Sequence, residues 1–423
     1  MKKISELKRI LAKNLGYNKA RIDCLAKMLI ALFSVKKVNL SEMAVAFMSR
    51  TKVSSRYKRL QRFFRYFEVD YEVLAKWIFG LFVFDKKVYI TIDRTNWFLG
   101  KLKINILVLG IAYEGVAIPL LWNTLDKSGN ASAEEHISII KRFVKLFGTK
   151  CIAGILADRE FGSVELFGWL KQNQIPFYIR IKDGSIASVK GKKLYPVKKL
   201  FNQLRSNQST TFGMDVEIYK QTVFLAGSRS ERGELMVVAT NCHPKNAVAI
   251  YLRRWEIETL FSCLKNRGFY FEATRLVHLY RIEKLMMLLT IGLSWAHKVG
   301  EWQAEKKPIR FSVHRDYLKR SIRPQSSYFR YGLDFIREII LSPFKKDRLS
   351  AKCLNTLHSP LRSSKLYEGD YDFLSCAKLL KLVNLYRESR KENLYNITQF
   401  DIHSFLLLLI IRTIKFCCTK QFD

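Results

Sequence analysis

Three carboxylates in this 423-residue chain stand where a divalent cation could use them. Asp93 closes a β-branched run over residues 88 to 92 and is followed by Arg94, Thr95, Asn96 and Trp97. Asp158 comes just past a second apolar run, 151 to 156, and heads the stretch Asp158, Arg159, Glu160, Phe161. Glu258 lies in a third segment with the spacing Tyr251-x2-Arg254-x3-Glu258-x6-Lys265. Carboxylate oxygens are the hard donors that Mg²⁺ favours. Two acids at strand ends and one on a helix are therefore candidate metal ligands.

Helical geometry chooses between the two glutamates of that third segment. At about 100° per residue, Tyr251, Arg254, Glu258 and Lys265 share an arc of about 60°. Glu256 falls on the other side and reads as a solvent or salt-bridge residue, while Ile250, Ile257, Leu260, Phe261 and Leu264 gather into a packing stripe. A solvated ion-pair face accounts for the same spacing, so the helix alone does not decide.

The elements that must position these acids follow from changes of hydrophobic period. The first 85 residues read helical. A short helix over 41 to 48, a polar turn and a helix from Ser54 or Ser55 to about Phe67 form a candidate DNA-reading unit. Leu60, Phe63, Phe64 and Phe67 make its buried stripe, and Arg56, Lys58, Arg59, Arg62 and Arg65 its basic surface, with an ordinary solvated face as the plain alternative. From Lys87 the pattern becomes strand-like: runs at 88 to 92, 104 to 112 and 116 to 122, with a tight turn at Tyr113, Glu114 and Gly115. Ser132 and Glu135 form a capping box opening a helix to about Phe147. A strand at 151 to 156, a helix at 164 to 172 and a strand at 177 to 181 complete the order of an α/β, RNase H-like core. Five regions result: a helical DNA-binding domain 1–85, the core's first part 86–182, a β-rich insertion 183–243, the helix carrying the glutamate in 244–300, and a C-terminal helical region 301–423 for dimerisation or DNA contact.

Composition sets the partner. With 73 Lys and Arg against 37 Asp and Glu, the formal charge is +36, an imbalance most easily tolerated beside an extended polyanion. At 48% hydrophobic residues the chain can bury a core, which excludes global disorder. The apolar runs 285 to 296 and 405 to 411 fall short of the roughly 20 residues that span a bilayer, so no membrane is expected. Ser5, Glu6, Lys8 and Arg9 follow Met1, Lys2 and Lys3 where a signal peptide would be apolar, and a cytoplasmic protein is expected. The eight cysteines contain no C-x-x-C, and Cys242 beside His243 has no second pair at ligand spacing, which argues against zinc.

The Tyr251, Arg254, Glu258, Lys265 spacing, with Asp158, Arg159, Glu160, Phe161 and the strand-ending Asp93 upstream, resembles the Y-R-E-K signature of DDE transposases of bacterial insertion sequences, in the branch called the insertion sequence four family. The likeness runs from about residue 40 to 340 and includes Arg330, Tyr331, Gly332, Leu333 and Asp334. It implies a retroviral-integrase-like catalytic core with Asp93, Asp158 and Glu258 as catalytic triad and metal ligands. Two Mg²⁺ ions, with Mn²⁺ as the substitute metal, would sit about 3.5 to 4 Å apart and drive in-line displacement at a phosphodiester. Asp93 would bridge both. Arg254 and Lys265 would hold flanking phosphates and Tyr251 would hydrogen-bond or stack nearby. Their plainer roles are ion-pair partner of Glu258, helix C-terminal cation and packing residue, respectively. The resemblance further implies double-stranded DNA partners (the element's terminal inverted repeats and target DNA), a homodimer in the synaptic complex, a nucleoid-associated location in a bacterium, and cut-and-paste transposition. Two other readings remain open at this point: a degenerate, non-catalytic DNA-binding protein, and an RNase H-like nuclease without joining activity. One departure is that residues 183 to 243 contain no Trp, where relatives stack one on a flipped base; Tyr219 or Phe224 would have to serve.

Overall fold

The computed structural model describes residues 2–84, 87–127, 129–189, 193–316, 319–341 and 351–358. All lie in one compact unit, Met1–Arg362. Lys190 and Lys192, the side chain of Lys193, and everything past His358, including Cys417, Cys418 and the apolar run at 405 to 411, lie outside the described residues.

Five helices open the chain: α1 (Lys2–Leu15), α2 (Lys19–Val35), α3 (Leu40–Ala46), α4 (Val53–Tyr66) and α5 (Tyr71–Gly80). Asn18, Asn39 and Asp70 cap α2, α3 and α5 by accepting backbone N–H bonds. On α4 the N-cap is Lys52, with no side-chain bond, rather than Ser54 or Ser55, which lie in the first turn. Leu60, Phe63 and Phe64 are buried as the periodicity predicts.

Strands β1 (Val88–Leu99), β2 (Leu102–Tyr113) and β3 (Val116–Thr124) form an antiparallel meander. Glu114 and Gly115 turn between β2 and β3 with φ of 47° and 83°, the left-handed pair that a two-residue hairpin needs. Helix α6 (Ala133–Phe147) begins with the expected capping box: Ser132 N donates to Glu135 at 2.6 Å and Glu135 N to Ser132 Oγ at 3.3 Å. Then come β4 (Ile152–Ala157), α7 (Val164–Gln172) and β5 (Phe177–Ile181). Both β4 and β5 run parallel to β1, giving the order β3-β2-β1-β4-β5 of an RNase H-like sheet.

The insertion does not leave this sheet. It comprises β6 (Ile186–Val189), β7 (Lys193–Pro196), α8 (Val197–Leu200), β8 (Ser209–Thr211), β9 (Val216–Ile218), β10 (Gln221–Arg229) and β11 (Leu235–Thr240). β11 pairs antiparallel with β5, and β10, β9, β6 and β7 continue outward. The ladder groups that β5 would otherwise expose as an edge are thereby satisfied.

Helices α9 (Ala247–Leu252), α10 (Trp255–Leu264) and α11 (Leu279–Lys306) return over the sheet. α11 is buried almost all round from Ile282 to Gly300, which explains its apolar run without a membrane. Among the described residues no helix is long and apolar enough to cross a membrane. The region after 300, expected to be helical, contains a hairpin, β12 (Phe311–Asp316) and β13 (Lys319–Pro324), before α12 (Tyr328–Leu341) and α13 (Ala351–Asn355). α11 and α12 approach at glycines: a Cβ on Gly332 would stand 1.8 Å from Ala296 O, and one on Gly300 1.8 Å from Tyr328 O.

Candidate active site

Asp93 lies inside β1 rather than at its end, because β1 continues as a hairpin arm to Leu99. Its parallel partner β4 stops opposite it, with Ile92 facing Ala157. Asp93 and Asp158 therefore emerge side by side at the carboxyl end of the parallel pair, the usual place for a site on an open α/β sheet. Asp158 is the N-cap of a one-turn 3₁₀ helix, Arg159–Phe161, whose Phe161 is fully buried against the His136 ring at 4.2 Å.

The helix bearing Glu258 is not continuous. Arg253 N bonds to Ile250 O at 3.1 Å, Arg254 N to Tyr251 O at 2.9 Å and Ile257 N to Arg254 O at 3.0 Å, so a tightened turn separates α9 from α10. That turn keeps Tyr251, Arg254 and Glu258 together. Arg254 Nη2 donates to Glu258 Oε1 at 2.7 Å, its Nη1 to Asp93 Oδ2 at 3.4 Å, and its Nε to Tyr251 OH at 3.1 Å. Tyr251 OH donates to Asp158 Oδ1 at 3.3 Å, and Arg180 of β5 stands 3.8 Å from the same oxygen. One arginine and one tyrosine thus link the three carboxylates.

Burial tunes these groups. Arg254 is only 4% exposed. Burial pushes the Asp93 carboxyl up to about 6, against the pull of the Arg94 N–H and the Arg254 charge. Burial likewise lifts the Tyr251 phenol to about 12, so it remains a donor at neutral pH. The Tyr251 ring packs in a small cluster with Leu156, Tyr178, Ala226, Val238 and Ala247, which realises its packing role as well.

Lys265 is set apart. Its ammonium lies 2.8 Å from Glu272, donates to Asn96 O at 3.3 Å and covers the Trp97 ring at 5.5 Å. Of the two expectations for Glu256, solvent or salt bridge, the structure realises the salt bridge. Its side chain is 14% exposed, pairs with Arg253 at 3.4 Å and is pushed by burial to about 7. The sheet under β2 and β3 covers the side of α10 that an isolated helix would expose.

Arg56 donates to Thr51 O at 2.8 Å and Ser49 O at 2.6 Å, and Arg59 to Asp23 Oδ2 at 2.9 Å and Ala20 O at 3.3 Å. Both guanidinia hold the N-terminal helices together. Arg62 is exposed, with one long bond to Lys58 O. Tyr219 stands edge-on to Phe167 at 5.2 Å, a packing contact, while Phe224 is 37% exposed.

Sequence reasoning quoted Arg94 and Glu160 without giving them a role. They form a two-pronged pair, Nε to Oε1 at 2.9 Å and Nη2 to Oε2 at 2.8 Å, on the face of β1 opposite Asp93. Arg94 also donates to Asn105, Gly129 O and Asn130. Their signal was positional, each lying one or two residues past an acid.

Three carboxylates supply hard oxygen donors suited to a divalent cation. Among the described residues no group of three acidic, His or Cys side chains is placed to hold an ion together. The cation already shared by Asp93 and Glu258 is the Arg254 guanidinium, which marks where positive charge is accepted.

Residues 130–295 match the family model described as the transposase DDE domain, a span holding Asp158 and Glu258 but beginning after Asp93. A solved structure, the cryo-EM structure of a piggyBac transposase synaptic complex with hairpin DNA, is similar over 83% of this chain and 80% of that chain, at 12% identity and a TM-score of 0.44. At that level the fold rests on the strand order above. No curated protein matches the chain. The domain match supports a DDE transposase, an enzyme of DNA cleavage and strand transfer, and DDE domains generally use divalent metal ions.

Proposed function

We propose that this chain catalyses cut-and-paste transposition of an insertion sequence of the insertion sequence four branch, with Asp93, Asp158 and Glu258 as its catalytic acids. The observation that carries the reading is the hydrogen-bonded chain from Glu258 through Arg254 and Tyr251 to Asp93 and Asp158, which gathers acids from three distant segments. Mg²⁺ is the proposed metal, with Mn²⁺ able to replace it. Asp93, Asp158 and Glu258 would hold such ions, whose chemistry when bound would be activation of the attacking oxygen and stabilisation of the leaving one in a phosphodiester displacement. The protein's own residues do the rest. Asp93 and Asp158 are held by adjacent parallel strands and Glu258 by α10, so the three acids stand at one end of the sheet, linked through Arg254 and Tyr251, and would close on an ion once Arg254 gives them up. Arg254, once exchanged from the carboxylates, can reach a DNA phosphate beside them, and Tyr251 then orients Asp158. Lys265, at the far end of α10, serves a phosphate one step further along. The duplex partners are the element's inverted ends and the target, brought together on a homodimer at the bacterial nucleoid.

End-labelled duplexes carrying the element's ends test this with Mg²⁺ present. Asp93→Asn, Asp158→Asn and Glu258→Gln should each lower cleavage by about 10³-fold or more while DNA binding persists. Cleavage at wild-type rate by any of the three removes that residue from the triad. Joined products in a strand-transfer assay separate a transposase from a nuclease that only cuts.

A further inference from the structure

We propose that the outer face of α4, together with Arg281 at the start of α11, is a seat for the phosphate backbone of duplex DNA, separate from the carboxylate site. Lys58, Gln61, Arg62, Arg65 and Tyr66 recur at i, i+3, i+4, i+7 and i+8, so they share one helix face. With Arg281 they line a cleft of about 350 Å³ that contains no acidic side chain. All five residues from α4 are exposed, and Tyr66 is 58% exposed.

The structure divides the basic surface of α4 read from the sequence: Lys58, Arg62 and Arg65 stay free and are joined by Arg281 of α11. Arg56 and Arg59 are bound to backbone carbonyls and to Asp23, as described above. Lys58, Arg62, Arg65 and Arg281 have no acidic partner among the described residues. Arg65 lies over the Tyr66 ring at 5.1 Å, and Arg281 donates to Tyr280 OH at 2.9 Å, contacts that orient a guanidinium without neutralising it. The cleft is also built rather than incidental. Lys284 of α11, 9% exposed, donates to Phe64 O at 3.2 Å and pins the C-terminal end of α4 to α11. Four unneutralised cations held around one cleft match a run of backbone phosphates, with Gln61 as a further donor. No base edge need be read, so the contact is one of grip and register. The proposal rests on the transposase reading only for the source of the DNA.

The full-length protein and a fluorescent duplex of about 30 base pairs provide the test, by anisotropy across a salt series. Each phosphate contact contributes about 0.9 to the slope of log affinity on log salt. Arg62→Ala/Arg65→Ala/Arg281→Ala should lower that slope by about 2 to 3. The thermal midpoint should stay close to wild type because the replaced groups face solvent. Lys145→Ala, at an exposed lysine of α6 already paired with Glu72 at 3.2 Å, should leave the slope unchanged. An unchanged slope in the folded triple variant overturns the seat while leaving the transposase reading intact. Wild-type protein that binds no duplex, or binds it independently of salt, overturns both. Loss of cleavage in Asp93→Asn with full slope and affinity would keep the two sites distinct.

Discussion

Arg254 shows how one residue holds two roles that its spacing alone left open. The periodicity placed it on one face with Glu258 and Tyr251, and the fold adds Asp93 as a partner. Arg254→Ala leaves two carboxylates facing each other without a cation and should cost about 3 kcal/mol in metal-free protein. Added Mg²⁺ or Mn²⁺ should then raise the melting temperature of the variant more than that of wild type; equal shifts would deny that the guanidinium occupies the cation's place. His136 gives a pH dependence. Burial holds its imidazole down at about 4, from an ordinary 6.5, so the fold prefers the neutral ring. The stability this reflects is complete above pH 6.5 and is lost as pH falls through 4. Its size is roughly 3 kcal/mol. Urea unfolding of His136→Phe between pH 7 and 4.5 should show a smaller loss than wild type; parallel curves would refute it. No sequence signal marked His136, since its environment comes from Phe161, 25 residues away in the chain.

Elements were legible where a local rule sets them. The capping box of α6, the left-handed hairpin turn at Glu114 and Gly115, and the strands and helices from 88 to 181 follow from short-range chemistry. The break between α9 and α10 was not legible, because neither Gly nor Pro marks it. The pull of Arg254 toward Asp93 is a tertiary contact. The Arg94–Glu160 pair ties β1 to the turn after β4 and so fixes the spacing of Asp93 and Asp158. Glu160→Gln should destabilise the protein by about 3 kcal/mol in urea unfolding, with Arg94→Met/Glu160→Met recovering part of it; a double-mutant coupling near zero would mean the pair is ornamental. At the α11–α12 crossing, Gly332→Ala would place a methyl group 1.8 Å from Ala296 O. A loss of about 3 kcal/mol or more is expected, read as a lower melting temperature or loss of soluble protein. An unperturbed melt would mean the helices can part at no cost.

At the scale of the molecule, the charge and the sheet complement each other. A chain of +36 needs an anionic partner, yet much of its arginine is committed to internal work: Arg56, Arg59, Arg94 and Arg254 all bind protein atoms. Affinity for duplex DNA should still fall steeply with salt, and a flat response would mean that the free cations do not form a track. The β-rich insertion widens the core sheet, which has 11 strands among the described residues. Truncating residues 183 to 243 should therefore expose β5 as a bare edge and yield aggregated protein. A soluble, monomeric truncation would show that the core closes without it.

The sequence by itself determined what is written in neighbouring residues and in period. It placed Glu258 rather than Glu256 on the face shared with Tyr251 and Arg254, ordered the five core strands, and assigned the partner's charge. Tertiary structure alone decided which cations are free, that Glu256 is buried under the sheet, and that Arg254 is the present counter-charge of two acids. These depend on contacts between residues far apart in the chain, and periodicity carries no information about what lies opposite a face.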